Sequence, residues 1–295
     1  MAMGYFYLSL ALTGGLIKGF LGKRVSSDVH TLKDCLQVNF IRLLFCAVFS
    51  AILLFADAGF SLPQLSDLPF YLFSAVCMAA FCITFMFGYK TAAYMYLSIF
   101  GMLGSVLTGL LGWVIYNEPL SIGKLFGMIL LLCAVIYLSK YNKLITLRET
   151  AKVLPLLIIA AISSALSDFS QKVYVYTIGG SAATYNFYTY IFSSILLFPA
   201  VFPLCRNTAS ERTPILTLRH FLYCMFIAAA QFLNTFSKTS AARHLTAVEI
   251  YPVLQGANLI ASAILAHCLL KEKITNRCFG GIVIAWIGLI LMNLF

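Results

Sequence analysis

Apolar residues run along this chain in blocks of about 18–25, broken by short polar stretches, and each block is long enough to cross roughly 30 Å of hydrocarbon as a helix. The blocks do not alternate apolar and polar at every second residue, as the strands of a membrane barrel would. Reading from break to break predicts ten helices, over 4–22, 36–56, 68–89, 94–116, 121–140, 153–176, 183–204, 219–238, 246–270 and 276–295. The longest connections, "GKRVSSDVHTLKD", "KYNKLITLRETAK" and "CRNTASERTPILTLR", are too short and too polar to hold a core of their own. The expected fold class is therefore an all-α membrane protein with no separate soluble domain.

The two halves of the pattern echo each other. One half reads "YKTAAYMYLSIFGMLGSVLTGLLGWVIYNEPLSIGKLFG" and the other "SKTSAARHLTAVEIYPVLQGANLIASAILAHCLLKEKITNRCFGG". Both carry K-T-(S)-A-A, a long apolar helix, a Glu at its end (Glu118, Glu272), a hydroxyl residue (Ser121, Thr275) and a Gly nine residues after the Glu (Gly127, Gly281). Each of the last three pairs is 154 residues apart. Five helices per half is an odd number, so the second copy enters the membrane from the opposite side. That gives an inverted repeat of 1–150 and 151–295, the construction common in secondary transporters, whose substrate sites lie near the midplane between the halves.

With a Glu closing helices 4 and 9, followed by a hydroxyl residue and a glycine-bearing helix, the chain resembles the drug/metabolite transporter superfamily, its EamA-like branch in particular. The resemblance covers essentially the whole chain. It implies paired five-helix repeats around a central cavity and a carrier of small organic solutes, and it implies no particular substrate. It also implies both termini inside, whereas fourteen Lys/Arg in the odd-to-even connections against three in the others predict both termini outside.

Composition sharpens the class: 61% of residues are hydrophobic, 10% are charged and the mean hydropathy is +0.93, against about 25% charged in a soluble domain. The net charge of +10 comes from Lys and Arg at the ends of apolar blocks, which reads as topology-setting loop charge and gives no reason to expect nucleic acid. Nine scattered cysteines show no CxxC or Cys/His spacing and read as small packing residues, so neither a metal site nor a cofactor is expected. The N-terminal apolar block lacks a basic region and cleavage site and is expected to be helix 1.

Ionisable groups inside the spans carry the functional expectations, because such groups usually face a bundle interior or water. Lys18 lies in "TGGLIKGFLGKR", and adding 154 lands on Lys172 in "SDFSQKVYVY", so the two lysines are expected toward opposite faces, as snorkelling anchors or as cavity groups. Asp168, one turn before Lys172, is expected to pair with it. Lys18 has glycines around it and no acid in helix 1, and Glu249 in "HLTAVEIYPVLQGANL" is its expected partner. Glu249, Tyr251, Gln255 and Asn258 flank Pro252, which frees a carbonyl, and read as a polar stripe on a bent helix 9. Glu249 alternatively pairs at the interface with Arg243 or His244; on the cavity reading, protonation of its carboxyl would be a route to ion coupling.

Helix 2 adds Gln37, Asn39 and Arg42, the last expected as an interface anchor, and Lys90 and Lys238 are expected to mark helix boundaries. Tyr185, Tyr188 and Phe192 share one face of helix 7, as an interfacial belt or as a cage for an amine. The candidate substrate-binding set is therefore Lys18, Lys172, Asp168, Glu249, Tyr251, Gln255, Asn258, Tyr185, Tyr188 and Asn39.

The sequence thus points to a secondary transporter of a small polar metabolite, anionic or zwitterionic, working by alternating access in the plasma membrane. An organic-cation carrier and a lipid-headgroup flippase remain open beside it, as does a non-transporting scaffold. No Ser/His/Asp or Cys/His arrangement suggests an enzyme. The expected partners are the small-molecule substrate, the lipid bilayer, a proton or counter-substrate, and a second copy of the chain in a homodimer.

Overall fold

The structure, a computed structural model, describes residues 2–57, 64–91, 94–139, 147–206, 217–270 and 276–294. Among them the chain forms ten α-helices and no strand. They are α1 (Ala2–Ser26), α2 (Leu32–Asp57), α3 (Leu68–Thr91), α4 (Tyr94–Tyr116), α5 (Ile122–Ser139), α6 (Leu147–Val173), α7 (Ala182–Arg206), α8 (Leu218–Ala241), α9 (Ala247–Leu270) and α10 (Asn276–Leu294). Each predicted span contains one of them, with ends moved by up to six residues, the largest at the start of α6. Glu272 and Thr275 of the repeat signature lie outside the described residues, as does the Lys90 side chain.

Local chemistry explains several ends. Before α2, Asp34 Oδ2 accepts the backbone N–H of Thr31 at 2.8 Å while Thr31 Oγ1 accepts that of Asp34, so two donors that have no partner inside the helix are satisfied reciprocally. Thr246 and Glu249 do the same before α9, where the sequence T-A-V-E is a capping box. Past Val173, α6 widens into a π turn over Tyr174–Ile178, which ends at Gly179 with φ +70°, a left-handed conformation suited to a residue without Cβ.

The bundle is apolar outside, as a bilayer requires, and encloses polar side chains among its buried apolar clusters. Phe55, Leu72, Val114, Phe226 and Trp286 are exposed. Asn39, Ser50, Ser74, Thr108, Ser193 and Thr239 are fully enclosed. Hydroxyls inside return to backbone carbonyls, as Thr108 Oγ1 does to Gly104 O at 3.1 Å and to Ala165 O at 3.2 Å on the neighbouring helix. With no water available, a polar side chain in a span is stable only when such a partner is at hand. Stretches at Leu32–Phe55, Leu68–Gly88, Pro155–Ile178 and Ala247–Leu265 are long and apolar enough to cross a membrane, and shorter apolar helices lie at Gly101–Tyr116, Ile122–Ala134 and Phe279–Met292.

Helix pairing follows the internal repeat. Exchanging α1–α5 with α6–α10 maps the α1/α8 pair onto α3/α6 and returns α2/α7, α4/α9 and α5/α10 to themselves. It likewise relates α3/α7 to α2/α8 and α4/α5 to α9/α10. The relation is not even throughout: α4 packs along α6 far more extensively than α1 does along α9, and α1 packs on α3 where α6 barely meets α8. The centre of the bundle lies between three repeat-related pairs of helices, α1 with α6, α3 with α8, and α4 with α9.

Candidate functional site

A cavity of about 840 Å³, its open mouth included, occupies that centre and takes lining residues from all six helices. Its two walls differ in chemistry. From the first repeat, α3 contributes Met78, Phe81 and Phe85, an aromatic and thioether surface. From the second, α8 contributes Gln231, Asn234, Thr235 and Lys238 at i, i+3, i+4 and i+7, one continuous helix face. A solute held here meets apolar rings on one side and hydrogen-bonding groups on the other.

Lys18 lines the cavity from α1, half-buried, with its ammonium 5.7 Å from the centre of the Phe81 ring. A cation over a ring face is mildly stabilised. No carboxylate among the described residues lies within ion-pair distance of it. Asp168, across the cavity on α6, is neutralised instead by Lys238, whose Nζ donates to Oδ1 at 2.5 Å. Tyr251 fixes this part of α6 by donating its hydroxyl to the Asp168 carbonyl at 2.7 Å.

Two amides complete the floor. Asn234 Nδ2 donates to Ala11 O at 2.6 Å and ties α8 to α1. Asn258 stands beside it, and both converge on Gly15, where a Cβ would sit 3.1 Å from Asn234 Nδ2 and from Asn258 Oδ1. Only a residue without a side chain leaves both amides their positions. Asn258 Oδ1 and Gln231 Oε1 are buried with no hydrogen-bond partner in the chain, which leaves two acceptors for a bound solute. Gln255 lines the cavity opposite Gly101, its partner by the 154-residue offset.

One end of the bundle is sealed by charge. Lys172, 3% exposed, donates to the carbonyls of Ala242 at 3.1 Å and Leu245 at 2.7 Å, and pairs with Glu118 Oε1 at 3.2 Å. The other Glu118 oxygen accepts the backbone N–H of Ala247 at 2.7 Å. These contacts join the ends of α4, α6 and α8 to the start of α9. Gly112 makes room for them, since a Cβ there would lie 2.7 Å from Ala247 Cβ and 2.9 Å from Glu118 Oε2. Beside this seal, Glu249 pairs with Lys124 of α5 at 2.9 Å.

The sequence-predicted residues therefore divide. Lys18, Asp168, Gln255 and Asn258 meet at the cavity, with Tyr251 directly behind. Lys172 and Glu249 lie away from its lining, among the ion pairs at the sealed end. Tyr185 and Tyr188 also lie elsewhere, packed with Tyr71 and Tyr174 at ring-centre distances of 5.0–6.2 Å. That cluster is closed by a Tyr71–Tyr174 hydroxyl contact of 2.7 Å and by Tyr185 donating to Ser170 at 3.0 Å. The rings occupy one another's faces and enclose no cage. Asn39 is turned back onto its own helix, donating to Cys35 O at 2.9 Å.

Both expected pairings are corrected. Asp168 binds Lys238 and not Lys172, because Lys172 points to the helix ends while Asp168 faces α8. Glu249 binds Lys124 and caps α9, so it is unavailable to Lys18. Lys238 lies in the last turn of α8, as expected of a boundary residue, but is buried at the cavity, and Arg42, 5% exposed, is no interface anchor. Gln231, Asn234, Thr235 and Lys238 were missed from sequence, although their i, i+3, i+4, i+7 spacing in "QFLNTFSK" was a readable signal.

The model of the EamA-like transporter family matches the chain twice, over residues 3–140 and 151–294. No curated protein sequence matches it. A solved structure described as "Crystal structure of protein" superposes with a TM-score of 0.74 at 11% identity, over 98% of this chain and 97% of that one, a likeness of fold.

Proposed function

This chain belongs to the EamA-like transporter family, and from that premise we propose that it is a secondary carrier of a small polar organic metabolite, anionic or zwitterionic, that works by alternating access in the plasma membrane. The observation that carries the reading is the central cavity between the two repeats, where, among the described residues, an ammonium has no acid partner and two amide oxygens have no donor. An anionic group on the solute would satisfy Lys18, and its hydroxyl or amino hydrogens would satisfy Gln231 and Asn258. Phe81 and Phe85 would cover its carbon skeleton.

The seal supports the mechanism. Lys172 holds three acceptors at one end, whereas no acid among the described residues pairs with its repeat partner Lys18, and Glu272, the repeat partner of Glu118, lies outside them. Unequal packing of the repeat-related α4/α6 and α1/α9 pairs is what an inverted repeat would adopt with one side of its cavity shut. Exchange of the two states would carry the solute across. The organic-cation reading has less support, because the one carboxylate among the described lining residues is already paired and the tyrosines pack on one another.

Counterflow into proteoliposomes tests the proposal. Purified protein should exchange labelled carboxylic or amino acids against the same compound inside, and Lys18→Gln should slow the exchange at least tenfold, the effect of about 1.4 kcal/mol. Exchange of choline, untouched by Lys18→Gln, would replace this reading with a cation carrier.

A further inference from the structure

Arg42 has no part in the cavity just described, yet its surroundings are unusual. It lies on α2, 5% exposed, with an Nε that has no hydrogen-bond partner. No described carboxylate lies within ion-pair distance of it. The polar groups around it include the thiols of Cys46, Cys82 and Cys224; Cys82 hydrogen-bonds the guanidinium, while Cys46 turns to Ala228 O and Cys224 to Val38 O. A buried charge in such a place is costly, and removing it normally stabilises a protein unless something else needs it.

Arg42 faces a narrow side pocket of about 260 Å³, adjoining open space included, and Lys18 lines the same pocket. Lys18, Phe81, Phe85 and Gln231 line both this pocket and the main cavity, so the two spaces adjoin. Two cations lining one pocket repel each other until an anion enters. A guanidinium presents a planar fork that grips a carboxylate or phosphate through two bonds, and an ammonium adds a point charge. Among the described residues lining both spaces, Lys18, Arg42 and Lys238 meet one carboxylate, that of Asp168, an excess of two positive charges.

We propose that the pocket between Lys18 and Arg42 is the headgroup subsite of the carrier, and that the solute is a small organic dianion, a phosphate monoester or a dicarboxylate. The inference rests on the carrier reading of the same cavity and narrows its substrate class. The dianion's charge is matched inside the subsite, and its remaining carbons and hydroxyls extend toward Phe85, Gln231 and Asn258.

Isothermal titration of the full chain in lipid nanodiscs tests this with glycerol 3-phosphate, succinate, alanine and choline. At least one of the two dianions binds wild type, and the stronger one identifies the headgroup as phosphate or carboxylate. Arg42→Met weakens that binding about 30-fold or more, as loss of a buried charge contact does, and Arg42→Lys, which keeps the charge but not the fork, falls between. Without ligand, Arg42→Met raises the unfolding midpoint, because an unpaired buried charge is gone; an arginine with a structural role would lower it. Binding of alanine or choline alone, or dianion binding that Arg42→Met leaves within about twofold, overturns the subsite. Arg42-dependent binding without counterflow in proteoliposomes upholds the subsite and removes the carrier reading.

Discussion

Replacing Lys172 by Met is the sharpest test of the sealed end. The side chain is nearly fully enclosed and holds Glu118 Oε1 at 3.2 Å and the carbonyls of Ala242 and Leu245 at 3.1 and 2.7 Å. Losing it leaves the Glu118 carboxylate, 9% exposed, with the Ala247 N–H as its one remaining partner, and removes a donor from two carbonyls beyond the end of α8. Breaking one side of a buried ion pair costs about 3–5 kcal/mol. Glu118→Gln should cost less, about 1.5–3 kcal/mol, because the amide still accepts from Ala247 and Lys172 keeps its two carbonyls. The double variant Glu118→Gln/Lys172→Met should cost clearly less than the sum of the singles, since no unpaired charge remains. Unfolding in mixed micelles measures the stabilities. Labelling of a cysteine placed at Thr246, in a background without native cysteines, measures access to the sealed end with an impermeant maleimide. Faster labelling in Lys172→Met is the expected result. Unchanged labelling together with additive stabilities would refute the view that this pair holds the end closed.

Three further outcomes follow from named contacts. Glu249→Gln should change stability by only about 0.2–1 kcal/mol and leave solute affinity alone, because Gln still completes the capping box and the lost ion pair with Lys124 is partly exposed, which titration and unfolding would both register. Asp168→Asn strands the buried Lys238 ammonium and should lower stability by about 3–5 kcal/mol, whereas Asp168→Asn/Lys238→Met should recover much of it in the same unfolding assay. Gly15→Ala places a methyl 3.1 Å from both the Asn234 and Asn258 amides, so it should cost about 1–3 kcal/mol and reduce counterflow, while Gly101→Ala, with 3.6 Å to Gln255, should be milder in both measurements.

What the sequence determined by itself was everything that depends on period and register. Block length set the ten helices, the 154-residue offset set the repeat and linked Lys18 to Lys172, and the stripe containing Gln255 and Asn258 already faced inward. The capping role of Glu249 was also legible, in T-A-V-E before an apolar run, and the polar face of α8 was legible in its spacing. Only the tertiary structure decided which charge meets which. One turn of α6 separates Asp168 from Lys172 and puts both on the same helix face, but that does not make them partners. Asp168 took Lys238 from α8, and Lys172 took Glu118 from the end of α4. Periodicity states which face of a helix is polar; it carries no information on which helix that face will meet. In a medium without water, the choice falls to whichever neighbouring backbone packs closely enough to satisfy the buried charge.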